Sequence, residues 1–349
     1  MLRSLGALTL SFLAAFPGMA HAQERMTRIP RAAFDVIPPS DRVYGEPGTM
    51  RVIQDGCRVG PTQWARQRIV DIAAQEWAFF GFQTIDTTRV ETRYLPEGLV
   101  PDVINPERPA PRAAQIYLRL GEFESADELA ATIAGSWSGA PDGRGAIAAQ
   151  NRAWENAGDN IGWARPWSAA FISWVMCEAG LGDMEQFERS VAHRVYIDQA
   201  IRARDGLAPN AAYVAYDAGE EEIMPGDLLC NARGNADYRS LADRRPDTGQ
   251  FAPTHCDIVV KVLPEAMQFL VVGGNVVESV SLTIVPAMAE EGRQMRPVDE
   301  DTLDGARTIF AHLKLRADPV PLSALDNTPT IRALGDAALR ETEEALESD

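Results

Sequence analysis

Apolar residues recur at three- and four-residue steps over residues 166–180, and this spacing predicts a helix with one core-facing stripe. Phe171, Trp174 and Val175 form the stripe, and Gly180 provides a left-handed stop after it. Ser168 then lies in the first turn, where free backbone N–H groups and the helix dipole favour a developing negative charge. A nucleophile is often placed there, although a serine at a helix start is also a common N-cap.

The same periodicity predicts further helices at 61–80, from about 125 to 137, and near 190–203. After residue 225 the pattern changes to short apolar runs that predict strands at 227–230, 255–262, 268–272, 276–284 and 308–315. Helices followed by strands are typical of an α+β domain with an antiparallel sheet. We therefore expect one domain over 61–316, between a loop-rich segment at 23–60 and an acidic tail at 317–349.

The first 22 residues have the features of a cleavable secretory signal. Arg3 precedes an apolar run at 5–16, and Ala20-His21-Ala22 stands before Gln23 as a cleavage site. The run is too short to cross a bilayer, and we predict no membrane span in the remainder. We expect cleavage after Ala22 and a periplasmic or secreted protein.

The formal net charge is −17, and loss of Arg3 with the signal makes it one unit more negative. So acidic a protein argues against nucleic acid and anionic membranes as partners. No His, Cys or Asp cluster has zinc-ligand spacing, and no glycine-rich loop fits a phosphate or dinucleotide. The sequence predicts neither a metal nor a cofactor.

Several short motifs resemble those of cell-wall hydrolases. Trp-Ser-Ala-Ala-Phe-Ile-Ser-Trp-Val at 167–175 is similar to the Trp-Cys-Ala-Ala-Phe-Val-Ser-Trp-Val signature of NlpC-type and CHAP cysteine, histidine-dependent amidohydrolases and peptidases. Residues 225–229 and 255–260 resemble their PGDLV and HVGIVV strands, and 273–275 their glycine-rich turn. From about 63 to 315 the chain is most similar to the bacterial family called domain of unknown function 2272, in which serine already replaces the cysteine.

The resemblance implies a papain-like NlpC/CHAP-type fold, with Ser168 as nucleophile, His255 as general base and Asn275 as the group that orients it. Because a hydroxyl cannot be held ionised as a thiol can, Ser168 needs a histidine to take its proton during attack. Asp257 shares the strand face of His255, and we expect it to make a salt bridge or a ligand contact rather than to be the third member.

Three further residues are candidates for substrate binding. Trp167 directly precedes the nucleophile. His193 and Tyr196 lie one helical turn apart on a predicted helix, and the related family has histidine and tyrosine here, which favours the cleft. The alternative for His193 is a contact in the core.

A long insertion at 231–254 separates the first strand from the His255 strand. It carries Arg233, Arg239, Arg244 and Arg245, and we expect Arg244 and Arg245 in particular to meet a carboxylate-bearing ligand such as a peptidoglycan stem peptide. The alternative is a disordered surface excursion.

Four cysteines in an exported chain indicate disulfides. Cys230 and Cys256 would face each other on neighbouring antiparallel strands, so this pair is preferred, which leaves Cys57 with Cys177 as a weaker expectation. Neither Cys177, nine positions beyond Ser168 on its helix, nor Cys256, on the face opposite His255, can replace the missing thiol.

Three functions remain compatible with this sequence. The preferred one is an exported Ser-His amidase or peptidase acting on a peptidoglycan fragment or a related peptide. The alternatives are a non-catalytic module that binds wall fragments or a protein partner, and a serine esterase or acyltransferase on the same scaffold.

Overall fold

The computed structural model of the protein describes residues 26–86, 126–157, 163–303 and 306–335. The fold is mixed α+β. In chain order the elements are β1 (Val43–Tyr44), β2 (Arg51–Val52), α1 (Ala65–Phe79), β3 (Thr84–Asp86), α2 (Ala126–Trp137), α3 (Gly143–Ala157), α4 (Ser168–Ala179), α5 (His193–Arg204), β4 (Tyr213–Tyr216), β5 (Leu228–Ala232), α6 (Leu241–Arg244), β6 (Thr254–Leu263), β7 (Gln268–Val276), β8 (Ser279–Met288), β9 (Arg296–Pro297) and β10 (Ile309–Leu315).

The large sheet has the order β3-β8-β7-β6-β5-β10-β4, with β9 paired to the end of β8. All neighbours are antiparallel except β3, which runs parallel to β8, so the sheet is mixed rather than wholly antiparallel as expected. Between β5 and β6 the register places Cys230 opposite Cys256 and Asn231 opposite His255. This pairing brings the residues before and after the long insertion side by side.

Helix α4 lies in the centre of the main core. All twelve of its residues are buried, because α1 and α2 pack on it and β6 and β7 lie beneath it. The approach to the sheet is close: a Cβ on Gly274 would stand 2.5 Å from the Cβ of Phe171. Burial of apolar surface therefore fixes α4 against the two strands that carry the candidate histidine and the glycine-rich turn.

Most predicted elements are present with shifted ends. The helix expected at 61–80 begins as a 3₁₀ turn at Thr62–Trp64 and continues as α1. Gly180 has φ 101° and ends α4 as predicted, whereas the helix expected near 190 begins at His193. The sequence did not predict helices α3 and α6 or strands β1 to β4 and β9. The proposed signal, residue 125 at the start of the second predicted helix, and residues 336–349 of the tail lie outside the described part.

Two disulfides join the four cysteines, Cys230 to Cys256 and Cys57 to Cys177, so both expected pairings are confirmed. Disulfides persist mainly in oxidising compartments. Within the described residues, no helix combines the length and the apolar character needed to cross a membrane. The two disulfides are compatible with an extracytoplasmic protein.

Candidate active site

Ser168 is the first residue of α4 and is 5% exposed. Its hydroxyl lies 2.7 Å from Nε2 of His193. Trp167 occupies the N-cap position, and the Phe171 N–H donates to the Trp167 carbonyl. Ser168 is therefore not the N-cap: its side chain points to a histidine instead of closing the helix end.

Trp167 is buried, and its ring stacks on Phe80 with centroids 6.0 Å apart. Its indole nitrogen has no hydrogen-bond partner among the described residues. Packing thus fixes the chain directly before Ser168. Contact between Trp167 and a substrate stays a prediction. The Trp167 side chain itself is enclosed by the core.

His193 is the partner of Ser168. It begins α5 and is 4% exposed, and its Nδ1 is hydrogen-bonded to the hydroxyl of Tyr196 one turn later. Tyr196 is itself held by a stacked Phe187 ring, 4.8 Å away between centroids. In the tautomer with its proton on Nδ1, the imidazole donates to the Tyr196 oxygen, and Nε2 accepts the Ser168 hydroxyl proton.

His255 lies behind this pair and does not bond to Ser168. Its ring centroid is 5.1 Å from that of His193, and its Nε2 is 2.7 Å from Oδ1 of Asp257. The expectation that Asn275 orients His255 is wrong. The hydrogen-bond partner of His255 is Asp257, and Asn275 makes no hydrogen bond to His255 within the described residues. Two residues on the same strand face approach closely enough for this bond, whereas Asn275 lies near the end of β7 in a left-handed backbone conformation with φ 53°.

Burial lowers the pKa of His193 well below its usual 6.5, and the nearby His255 and Arg233 lower it further. Burial also lowers the pKa of His255, although Asp257 partly offsets this. Burial alone would raise the pKa of Asp257, but His255, Arg307 and Arg233 outweigh it and hold that pKa well below its ordinary value. At neutral pH the catalytic cluster of Ser168, His193, His255 and Asp257 thus has two neutral imidazoles beside an ionised carboxylate.

A cavity of about 360 Å³ adjoins the cluster. Asn231, which pairs with His255 across the sheet, lines it together with Arg233 and Arg307. Arg307 Nη1 is 3.5 Å from Oδ2 of Asp257. The wall of the cavity therefore contacts the carboxylate that supports His255.

The two arginines predicted to bind ligand have structural partners instead. Arg244 is 0% exposed and forms a bidentate ion pair with Asp198, with nitrogen–oxygen distances of 2.8 and 3.0 Å. Arg245 pairs at the surface with Asp205. The prediction that Arg244 contacts a ligand is thus wrong, because the side chain is fully buried. The insertion is also folded, since a capping box from Ser240 opens α6 inside it.

Sequence reasoning gave His193 a secondary place and missed Asn231 and Arg307. Arg307 is fifty positions from Asp257 and belongs to no motif, so only the strand order could bring it there. Within the described residues, no group of three or more His, Cys, Asp or Glu side chains could hold a metal ion.

A family model matches residues 112–315, more than half of the chain; its description is "Uncharacterized protein conserved in bacteria (DUF2272)". The chain belongs to this family. No curated protein and no solved structure matches it significantly.

Proposed function

We propose that this member of the family is an exported serine hydrolase that cleaves an amide bond of peptidoglycan or of a related envelope peptide, on a papain-like NlpC/CHAP-type scaffold. The observation that carries the proposal is the 2.7 Å contact between the Ser168 hydroxyl and His193 Nε2 at the start of α4. A nucleophile in hydrogen-bond contact with a base, which a third group orients in turn, is the arrangement that acyl transfer needs.

In the proposed reaction, Ser168 Oγ attacks the carbonyl carbon while its proton passes to His193 Nε2. The oxyanion faces N–H groups in the first turn of α4, such as those of Ala169 and Ala170, because no side chain caps this helix end. The C–N bond then breaks, and the leaving amine takes the proton from His193. Water hydrolyses the acyl ester, giving its proton to His193, and Ser168 recovers its hydroxyl proton from the ring.

Protonated His193 gains support from the ionised Asp257, whose charge favours the imidazolium across the His255 ring. Tyr196 fixes the orientation of the ring but carries no charge to offset an imidazolium. In this scheme Asp257 supplies electrostatic support, which an uncharged Asn275 could not, and the His255 ring lies between the carboxylate and the base.

A second candidate function is a binding module without catalysis. Its support is the enclosure of Ser168 and His193, which are 5% and 4% exposed, beside a cavity that opens on the Asp257 side. A protein that only holds wall fragments would use the cavity and leave the serine unused.

The test is incubation of the mature protein with muropeptides and with an activated ester, beside Ser168→Ala and Ser168→Cys. Ser173→Ala is the matched control: it removes an equally buried serine from the same helix, one that bonds to the backbone of Ser190 rather than to a histidine. Turnover in wild type and Ser173→Ala, lost in Ser168→Ala, supports the proposal. Activity confined to Ser168→Cys contradicts a working serine nucleophile. Inert proteins that all bind fragments equally favour the binding module.

A further inference from the structure

The cavity beside the catalytic cluster is lined by two arginines, Arg233 and Arg307, that the two acids of its wall leave unpaired. The half-buried Arg233 makes no side-chain hydrogen bond or ion pair with any described residue. Among the described residues, Arg307 reaches only Asp257, at 3.5 Å. The two acids of the wall, Asp237 and Glu300, both face Arg239, at 3.8 and 3.2 Å. Within the described ranges, Arg233 thus has all its side-chain donors free and Arg307 has one long contact to a carboxylate, which leaves donors for an incoming anion.

Asn231 adds a hydrogen-bond acceptor beside these donors. It is 6% exposed and lines the cavity, and its Nδ2 donates to the Ala232 carbonyl at 2.9 Å. That bond fixes which amide atom is the oxygen, and Oδ1 is buried without a hydrogen-bond partner among the described residues. A buried acceptor without a donor is costly, so this position favours a ligand that brings an N–H group.

We propose that the pocket formed by Arg233, Arg307 and Asn231 binds the free C-terminal carboxylate of a peptide substrate. The two arginines donate to the carboxylate, and Asn231 Oδ1 accepts the N–H of the terminal residue. A terminal peptide unit carries both groups side by side. This inference rests on the proposed function, since it makes the envelope hydrolase one that selects peptide ends.

The position of the pocket supports its role as a substrate subsite. Arg307 touches the carboxylate that holds His255, and Arg233 is near enough to act on the charges of both Asp257 and His193. A ligand held there contacts Arg307 and thereby lies next to the carboxylate that supports His255. The volume of about 360 Å³ is at the small end for ligand sites, which suits a chain end rather than a long internal segment.

Binding is measured with Ser168→Ala protein, so that turnover cannot deplete the probe. The probes are N-acetyl-alanyl-alanine in its L and D forms, the corresponding C-terminal carboxamides, and inorganic phosphate, each titrated by calorimetry. We expect one stereoisomer with a free carboxylate to bind at least tenfold more tightly than its carboxamide, as one charge-assisted hydrogen bond provides. In Arg233→Gln and Arg307→Gln the preference falls to within threefold.

Arg293→Gln is the control for the change in net charge, because Arg293 is 62% exposed and its one ion pair within the described residues is with Glu290. It should leave the preference unchanged. If either glutamine variant loses its far-UV circular dichroism, Arg233→Lys and Arg307→Lys replace it; these keep the charge but not the forked donors, and they should reduce the preference.

The outcomes separate the two proposals. Selective peptide binding without wild-type turnover removes the hydrolase but keeps the carboxylate pocket. Turnover of acid and carboxamide peptides at equal rates keeps the hydrolase and overturns the pocket. Phosphate binding that depends on both arginines, without peptide selectivity, also overturns it in favour of a phosphate site.

Discussion

Arg244→Ala should destabilise the fold strongly, although sequence analysis placed this residue at a ligand. The guanidinium is fully buried and makes two bonds to the Asp198 carboxylate, one to the Tyr238 hydroxyl at 3.2 Å and one to the Gln250 carbonyl at 3.2 Å. Its removal leaves the Asp198 carboxylate in the core, with the Gly249 N–H at 2.8 Å as its remaining donor.

An uncompensated buried charge of this kind costs about 3–5 kcal/mol of unfolding free energy. For a chain of this size that corresponds to a fall in melting temperature of roughly 6–20 °C, at about 2–4 °C per kcal/mol. Adding Asp198→Asn to Arg244→Ala should recover part of the loss, because the second change removes the stranded charge. Asp198→Asn alone should cost less than Arg244→Ala.

The assay is urea unfolding followed by tryptophan fluorescence, with Arg245→Ala as the neighbouring control. Arg245 is also an arginine of α6 and its 3₁₀ extension, but it pairs with the exposed Asp205 and should cost no more than about 1 kcal/mol. An Arg244→Ala loss within 1 kcal/mol of that for Arg245→Ala refutes the structural role. So does an unchanged stability accompanied by lost binding of carboxylate peptides.

Two further predictions concern the catalytic cluster. His193 accepts a proton only when neutral, and since burial holds its pKa below 6.5, kcat/KM should stay level as pH falls to 6.5 and decline only at lower pH; a midpoint at or above 6.5 contradicts this assignment. Gly273→Ala should reduce turnover at least tenfold and destabilise the fold by about 1–3 kcal/mol, because its Cβ would stand 1.8 Å from Oδ1 of Asp257 and displace that carboxylate from His255. Gly145→Ala, with no atom within 4 Å of the added carbon, is the control for both turnover and thermal melting, and equal behaviour of the two variants argues against the clash.

Local sequence determined the main helices and strands around the site and part of the chemistry. Apolar spacing set α4 and placed Ser168 in its first turn, because a helix must bury one stripe against the core. The i, i+3 spacing likewise put Tyr196 on the same helical face as His193, and the two side chains do bond. Alternation along β5 and β6 was enough to pair Cys230 with Cys256.

Tertiary structure decided which of these groups meet. Ser168 bonds to His193 rather than His255 because α5 begins where the N-terminus of α4 meets the sheet, and no spacing in the chain encodes that junction. Burial, which is a property of the whole fold, turned Arg244 from a predicted ligand contact into half of an enclosed ion pair. Strand order brought Arg307 to Asp257 across fifty residues. Sequence periodicity is local, whereas the distances that create a site come from packing elements that are remote along the chain.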